Sequence, residues 1–464
     1  MAKRRRGAKL SGVLALMAIT VGVATGTGMA QAIEVVDQGR VVDGPGAVLP
    51  ERQRVEPVNR ALSQRLEEVL PGLMREVGLD MWLVINREYA EDPVYLTLVP
   101  EPVFAARRTT MLVFFDRGPE EGIERLTVSR YPLGDLYQSA WEGGDLEEQW
   151  VRLAEVVEER QPRRIGINTS MTWPVADGLT AALKAELENV ISDSMRERLV
   201  SAETLAIRWL ETRSQWELDS YPHIVSLARG VISEAFSSRV ITPGVTTTED
   251  VAWFVRQRFT DLGLPAWFMP DVNLQRAGDT CEVDSPFCGA TEVTIQPGDV
   301  LHTDVGICYL RLCTDTQEMG YVLRAGESAA PAGLVAALAT GNRWQDFVTR
   351  EFRIGRTGNE ILAAALAAIG DAGIAGTIYT HPIGFFGHAP GPTIGMWDNQ
   401  GPTPDRGDWP LAPSTAFAIE GNIKAAVPEW DGQLVQIKLE QSAVFDGQSV
   451  YYLAGRQVEW HLVH

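Results

Sequence analysis

Residues 295–317 read IQPGDVLHTDVGICYLRLCTDTQ. The stretch opens on the turn residues Pro297, Gly298 and Asp299, continues as an apolar strand-like run, breaks near Leu310 and Arg311, and returns. A hairpin of this kind is expected to set Asp304 and Asp315 opposite each other with both side chains on one face, since cross-strand partners point the same way. Two carboxylates a few ångströms apart repel unless a proton or a cation lies between them. Aspartate is also a poor strand former, so placing two in facing positions carries a cost. A solvated sheet edge would hold the same pair without a metal, and the pair alone does not decide.

Two more acids bear on the choice. TAFAIEGNI (415–423) puts Glu420 in an apolar strand, and LVQIKLEQSAVF (434–445) does the same with Glu440. A carboxylate inside a buried strand needs a positive partner. The loop-like stretch TIYTHPIGFFGHAPGP (377–392) adds His381 and His388, two of only six histidines in the chain. Four carboxylates and a histidine make a hard, oxygen-rich ligand set for two divalent ions, closer to manganese or cobalt chemistry than to a thiolate zinc site. Shared carboxylates would hold such ions roughly 3.5–4 Å apart and acidify a water between them.

In order and spacing, Asp304, Asp315, His381, Glu420 and Glu440 resemble the five metal ligands of the pita-bread metallopeptidases, a family that includes methionine aminopeptidase, aminopeptidase P and prolidase. The spacer between the two aspartates and the step from His381 to His388 both fit, and the resemblance runs over roughly residues 205–450. It implies a fold of an α/β N-terminal domain of creatinase type followed by an α+β pita-bread catalytic domain. It also implies two divalent metal ions, manganese ahead of cobalt or zinc. Asp304 would chelate one ion, Asp315 and Glu440 would bridge both, and His381 and Glu420 would complete the other's shell. Glu420 would double as general base, and His388 would hydrogen-bond the scissile region and steady the tetrahedral intermediate. Lys438, two residues before Glu440, resembles a basic residue of the Xaa-Pro enzymes; an ordinary surface lysine is the competing reading.

The chain also departs from that pattern. Xaa-Pro members usually carry a further histidine about seventeen residues before the first aspartate, and no histidine lies between His223 and His302 here. Arg311 and Leu312 stand where the hairpin return usually has glycine, Ala389 follows His388 where an acid is common, and Gly421 follows Glu420 where proline is frequent. His302 is out of pattern in the other direction, since an aliphatic residue is usual two positions before the first aspartate. It is expected to replace the absent histidine in part as a catalytic residue, either donating a proton to the leaving amine or orienting a ligand carboxylate. Packing is the competing role.

The chain of 464 residues is 45% hydrophobic, enough for two domains. Its first 32 residues combine a basic start, an apolar stretch from Leu10 to about Val23, and small residues ending Ala30-Gln31-Ala32. They read as a secretory signal peptide, so the mature protein is expected to be exported, periplasmic or secreted, with no integral membrane span. An uncleaved anchor is the competing reading. Removal of the segment moves the formal charge from −20 to −25, which argues against nucleic acid and anionic membranes as partners. A small peptide is the expected partner, and a homodimer is compatible with the sequence. Four cysteines in an exported chain suggest disulfides, with three connectivities possible and free buried thiols as the competing reading. Cys281 and Cys288 can meet readily across their loop. Cys308 and Cys313 are expected to lie diagonally, near the limit of what a bridge spans.

Elsewhere, 33–55 reads as an irregular mature N-terminus. Residues 59–78 show helical spacing, 80–86, 108–118 and 124–131 read as strands, 146–161 as a helix, 164–168 as a strand and 175–188 as a helix. These alternating elements mark a creatinase-type N-terminal domain over 56–200. Long helical patterns at 216–240 and 247–263 open the pita-bread domain over 201–464. The expected function is that of an exported dinuclear-metal peptidase cleaving the amide after an N-terminal residue, of Xaa-Pro type, through a metal-bridging hydroxide. The alternatives are a hydrolase of the same fold acting on a non-proline amide and a binding protein that has lost catalysis.

Overall fold

The computed structural model describes residues 46–282 and 285–464, so the expected signal segment and residues 33–45 of the expected irregular N-terminus lie outside the described residues. The first sheet contains β1 (Met81–Arg87), β2 (Thr109–Asp116), β3 (Ile123–Ser129), β4 (Gln138–Ser139), β5 (Ile165–Ile167) and β6 (Leu199–Ser201), in spatial order β4-β3-β2-β1-β5-β6. β1 and β2 are wholly buried along most of their length, as their continuous apolar runs require. The helix at Leu146–Arg160 packs on this sheet, opened by a capping box between Asp145 and Glu148.

The second sheet has a spine of β7 (Asp271–Gln275), β8 (Val300–Val305), β11 (Thr316–Val322), β12 (Ala375–Ile378), β14 (Thr415–Val427) and β15 (Gln433–Phe445), in the order β12-β14-β15-β11-β8-β7. β13 (His381–Ile383), β16 (Val450–Tyr452) and β17 (His461–Val463) attach beside it, and β9 (Cys308–Tyr309) pairs with β10 (Leu312–Cys313) as a separate tip. Two helix pairs cover the sheet. Gln215–Ala235 and Thr248–Asp261 share one apolar core with β8, and Ala332–Thr349 and Gly358–Asp371 share another with β14 and β15. The result is a mixed α/β N-terminal region followed by an α+β region with a large, mainly antiparallel sheet. No helix among the described residues is long and apolar enough to cross a membrane.

Two expectations need correction. The segment before residue 56 is not irregular throughout: a helix starts at Glu51, runs through Pro57 and continues past a π-helical segment at Arg65–Val69 to Val77. Pro57, the seventh residue of that helix, lacks the N–H that would bond the Gln53 carbonyl, and the helix continues past it. The hairpin register also differs. Leu310 and Arg311 both take left-handed backbone conformations, φ 52° and 65°, and form a two-residue turn. That turn sets Cys308 opposite Cys313 and Asp304 opposite Gln317, with Asp315 diagonal to Asp304. The two cysteines therefore face each other directly, with Cα atoms 4.0 Å apart, and are bridged; Cys281 and Cys288 are bridged as well.

All described residues belong to one compact unit, and buried charges join its two sheet regions. Arg65 from the first helix is buried and pairs with Glu217 at 2.7 Å, while Arg213 approaches the same carboxylate at 3.5 Å. At the tip of the β9–β10 hairpin, Arg311 donates to the Val99 carbonyl at 2.6 Å and pairs with Glu101 at 3.0 Å.

Candidate metal centre

Strand register assembles the centre. Asp271 on β7 is opposite Asp304 on β8, Asp304 is opposite Gln317 on β11, Gln317 is opposite Glu440 on β15, and Glu440 is opposite Glu420 on β14. Directly paired residues share a face, so five polar side chains form one row across five strands. Asp315 reaches the row from just before β11. β14 can pass close to β12 because Gly421 has no side chain: a Cβ there would lie 2.2 Å from the Thr377 carbonyl oxygen.

β13 pairs with β14 and brings His381 over the row. The His381 Nδ1–H donates to the Pro382 carbonyl at 3.0 Å, which leaves Nε2 facing the acids. Nε2 lies 3.4 Å from Glu420, 3.7 Å from Asp315 and 3.7 Å from Glu440. His388 stands at the rim, mostly exposed, 3.7 Å from Asp315 and with its ring 4.7 Å from that of His381. All five residues expected as ligands thus converge, and His388 joins them. Asp304, Asp315 and Glu440 offer donor atoms within 4.8 Å of one another, as do His381, Glu420 and Glu440, and Asp315, His381 and His388.

The unsatisfied atoms of this cluster fit a cation. Asp304 Oδ1, Asp315 Oδ1, Glu440 Oε1 and His381 Nε2 are all buried with no hydrogen-bond partner. Buried polar atoms are rarely left so, and four in one cluster call for a shared positive partner. Burial, and then the charge of Glu440, pushes Asp304 and Asp315 well above the ordinary aspartate range. The same two causes push Glu420 up to about 8. Burial alone would lower His381, but the Glu420 and Glu440 carboxylates beside it raise it to about 10. The carboxylate shifts reflect burial together with mutual repulsion, and the His381 shift the pull of the acids on a positive charge; divalent ions would satisfy both.

A hydrogen-bond chain supports the row. Lys438 Nζ donates to Asn273 Oδ1 at 3.1 Å, Asn273 Nδ2 donates to His302 Nδ1 at 3.0 Å, and His302 Nε2–H donates to Gln317 Oε1 at 2.9 Å. Gln317 Nε2 in turn donates to Glu420 and, at 3.1 Å, to Glu440. Both ring nitrogens of His302 are committed, and burial, followed by the charge of Lys438, holds its pKa well below the ordinary value. This arrangement suits the orienting role among those expected of His302, not release of a proton to a leaving amine. Lys438 is buried, unlike an ordinary surface lysine, and burial lowers it to about 8.

Several residues at the site have no signal in the sequence. A cavity of about 760 Å³ opens over the row, with Trp173 from the N-terminal region, Arg406, Phe287 and Trp397 in its walls. Phe287 occupies the position seventeen residues before Asp304, where the resemblance leads one to look for histidine. Trp267 packs against the His388 ring at 4.9 Å and donates its indole N–H to the Thr314 carbonyl at 2.9 Å. Gly306 and Gly387 make room for that indole, since a Cβ on either would fall within 2.1 Å of it. Only the paired glycines hint at this contact, and they identify no partner.

Residues 220–445 match the model of metallopeptidase family M24. No curated protein matches the chain. Among solved structures, the chain is similar to an X-Pro aminopeptidase from Thermotoga maritima, at 17% identity and a TM-score of 0.60, over 84% of this chain and 100% of that one. It is also similar to an Xaa-Pro dipeptidase from Bacillus anthracis, at 16% identity and a TM-score of 0.56, over 89% and 100% of the two chains. A zinc-substituted aminopeptidase P from E. coli in complex with product gives 12% identity and a TM-score of 0.51, over 88% and 96%. At these identities the likeness concerns the fold.

Proposed function

Because the chain belongs to metallopeptidase family M24, with the pita-bread catalytic domain in its C-terminal half, we propose that it is an exported dinuclear-metal peptidase of Xaa-Pro type, hydrolysing the amide after the N-terminal residue of a short peptide. The observation that carries this reading is the convergence of four carboxylates and His381 with four of their buried polar atoms unpartnered.

Asp304, Asp315 and Glu440 would hold one divalent ion, and His381, Glu420 and Glu440 the other. Glu440 is common to both groups, and Asp315 also approaches His381, as bridging positions require. A bound ion pair supplies Lewis-acid polarisation of the scissile carbonyl and a water acidified toward neutral pH. Glu420 is placed to accept the proton of the attacking water and pass it to the leaving amine. His388 at the rim, 3.7 Å from Asp315, is placed to donate an N–H to a developing oxyanion. Gln317 holds Glu420 and Glu440 in place, and His302 holds Gln317.

The cavity walls support a short peptide with a free C-terminus. The Arg406 guanidinium lies 5.5 Å over the Trp173 ring and reaches the Thr172 carbonyl at 3.5 Å, with no carboxylate paired to it among the described residues. In a chain with 61 acidic and 41 basic residues, an unpaired arginine in a catalytic cavity suits a substrate carboxylate.

The test is hydrolysis of Xaa-Pro dipeptides, longer Xaa-Pro-Xaa peptides and non-proline dipeptides, after chelation and again after addition of Mn²⁺. Cleavage of the proline peptides only with metal supports the reading. Because Phe287 stands in place of a histidine, the non-proline arm matters: a preference for it assigns the enzyme to another amide. No cleavage of any peptide rejects peptidase function.

A further inference from the structure

The wall of the cavity away from the metal ligands is built on a stapled loop. Between β7 and β8 the chain leaves the sheet, and the Cys281–Cys288 bridge closes a small ring. β15 fastens this ring to the catalytic sheet: Gln436 Oε1 accepts from the Cys288 N–H at 2.6 Å, and Gln436 Nε2 donates to the Pro286 carbonyl at 2.9 Å. Lys424 on β14 adds bonds to the Glu282 and Ser285 carbonyls. Gln436, Lys438 and Glu440 alternate along β15, so they point to one side and the ring is held beside the ligand row.

The anchoring presents Phe287 to the cavity. Its ring centroid lies 5.6 Å from that of Trp397, tilted by 33°, and 5.7 Å from Lys438 Nζ. Phe287 is 45% exposed and Trp397 51%, and both line the cavity. Two large rings left half-uncovered side by side form a surface that an apolar group would cover favourably. Asp271 offers a carboxylate to the ammonium end of a peptide. It lies outside the ligand set, lines the same cavity, and is linked through Asn273 to Lys438 beneath Phe287. A peptide ammonium at Asp271 would turn the N-terminal residue toward the side of the cavity where Lys438 and Phe287 lie.

We propose that Phe287 and Trp397 form a specificity subsite for a bulky apolar, above all aromatic, side chain on the N-terminal residue of the substrate, and that the Cys281–Cys288 bridge maintains it by holding Phe287 in the cavity wall. This rests on the peptidase reading above.

The experiment uses the manganese-loaded enzyme and a dipeptide series that varies the N-terminal residue through Ala, Leu, Phe and Trp before a constant second residue. The wild type is expected to favour Phe over Ala in kcat/KM by about tenfold or more, the scale that added apolar contact in a pocket provides. Phe287→Ala, Trp397→Ala and the double variant Cys281→Ser/Cys288→Ser should each shrink that ratio several-fold, with circular dichroism confirming the fold. Phe287→Leu, a milder change, should shrink it less. A wild-type ratio near one, or a ratio unchanged in Phe287→Ala and Trp397→Ala, overturns the proposal. If no peptide is hydrolysed, calorimetric titration with Phe-Pro and Ala-Pro separates the two readings. Tighter binding of Phe-Pro that is lost in Phe287→Ala retains the subsite and rejects only the peptidase reading, while equal binding rejects the subsite.

Discussion

His302 donates to the side-chain oxygen of Gln317 at 2.9 Å, and this bond decides which way the Gln317 amide points. With its oxygen held, Gln317 turns its NH₂ group to Glu420 and Glu440. His302→Leu removes the hold and fits the apolar preference of a strand. Metal affinity or kcat is expected to fall about 10–100-fold, the usual effect of losing a partner behind a metal ligand. Calorimetric metal titration and steady-state kinetics measure it. Unchanged values in both would assign His302 to packing.

Arg406→Ala should raise KM for dipeptides with a free carboxylate by about 10–100-fold, the worth of a hydrogen bond to a charged group. Peptides with an amidated C-terminus should show no such change. An equal loss on both substrates would place Arg406 outside carboxylate recognition.

Glu217→Gln should be among the most destabilising single changes in the chain. The substitution leaves Arg65 and Arg213 buried without their shared carboxylate, and breaking such a group costs about 3–5 kcal/mol. Urea unfolding midpoints of mutant and parent provide the check, and a difference under about 1 kcal/mol would show that the charges find other partners.

The carboxylate of Glu318 predicts an acid-sensitive contribution. Burial alone would raise its pKa, but the charge of Arg229 and then the His461 hydrogen bond draw it from 4.5 down to about 2. The unfolded chain therefore takes up the proton first as pH falls. The stabilisation is complete above about pH 4.5 and is lost progressively down to about pH 2. Melting of Glu318→Gln should lie well below the parent at pH 7, with the gap closing toward pH 3. A constant gap would contradict this.

Much of the fold is legible in the sequence because its signals are local. The apolar runs of β1 and β2, and the helices at Gln215–Ala235 and Thr248–Asp261, follow from side-chain periodicity and capping residues. The ligand residues stand out as acids in apolar strands. The pairing of Asp304 escapes the same reasoning, because it depends on Leu310 and Arg311 both adopting left-handed conformations that neither residue type favours. Gln317 passes unnoticed for that reason: only the true register puts its amide between Asp304 and Glu440. Arg406 and Trp397 come from the irregular stretch between β13 and β14 and Trp173 from far away in the N-terminal region, and tertiary packing alone brings them to one cavity.

The central claim is that these side chains form one centre for two ions, and metal stoichiometry tests it most directly. The protein is to be stripped with chelator, reloaded with Mn²⁺, freed of excess ion and analysed for bound metal per chain, beside Glu440→Ala and Asp315→Ala. The account predicts about two ions in the parent and loss from both sites in each variant, because Glu440 and Asp315 each lie within reach of both groups. A parent that retains no metal after loading, or a Glu440→Ala protein that still holds the full complement, would contradict it.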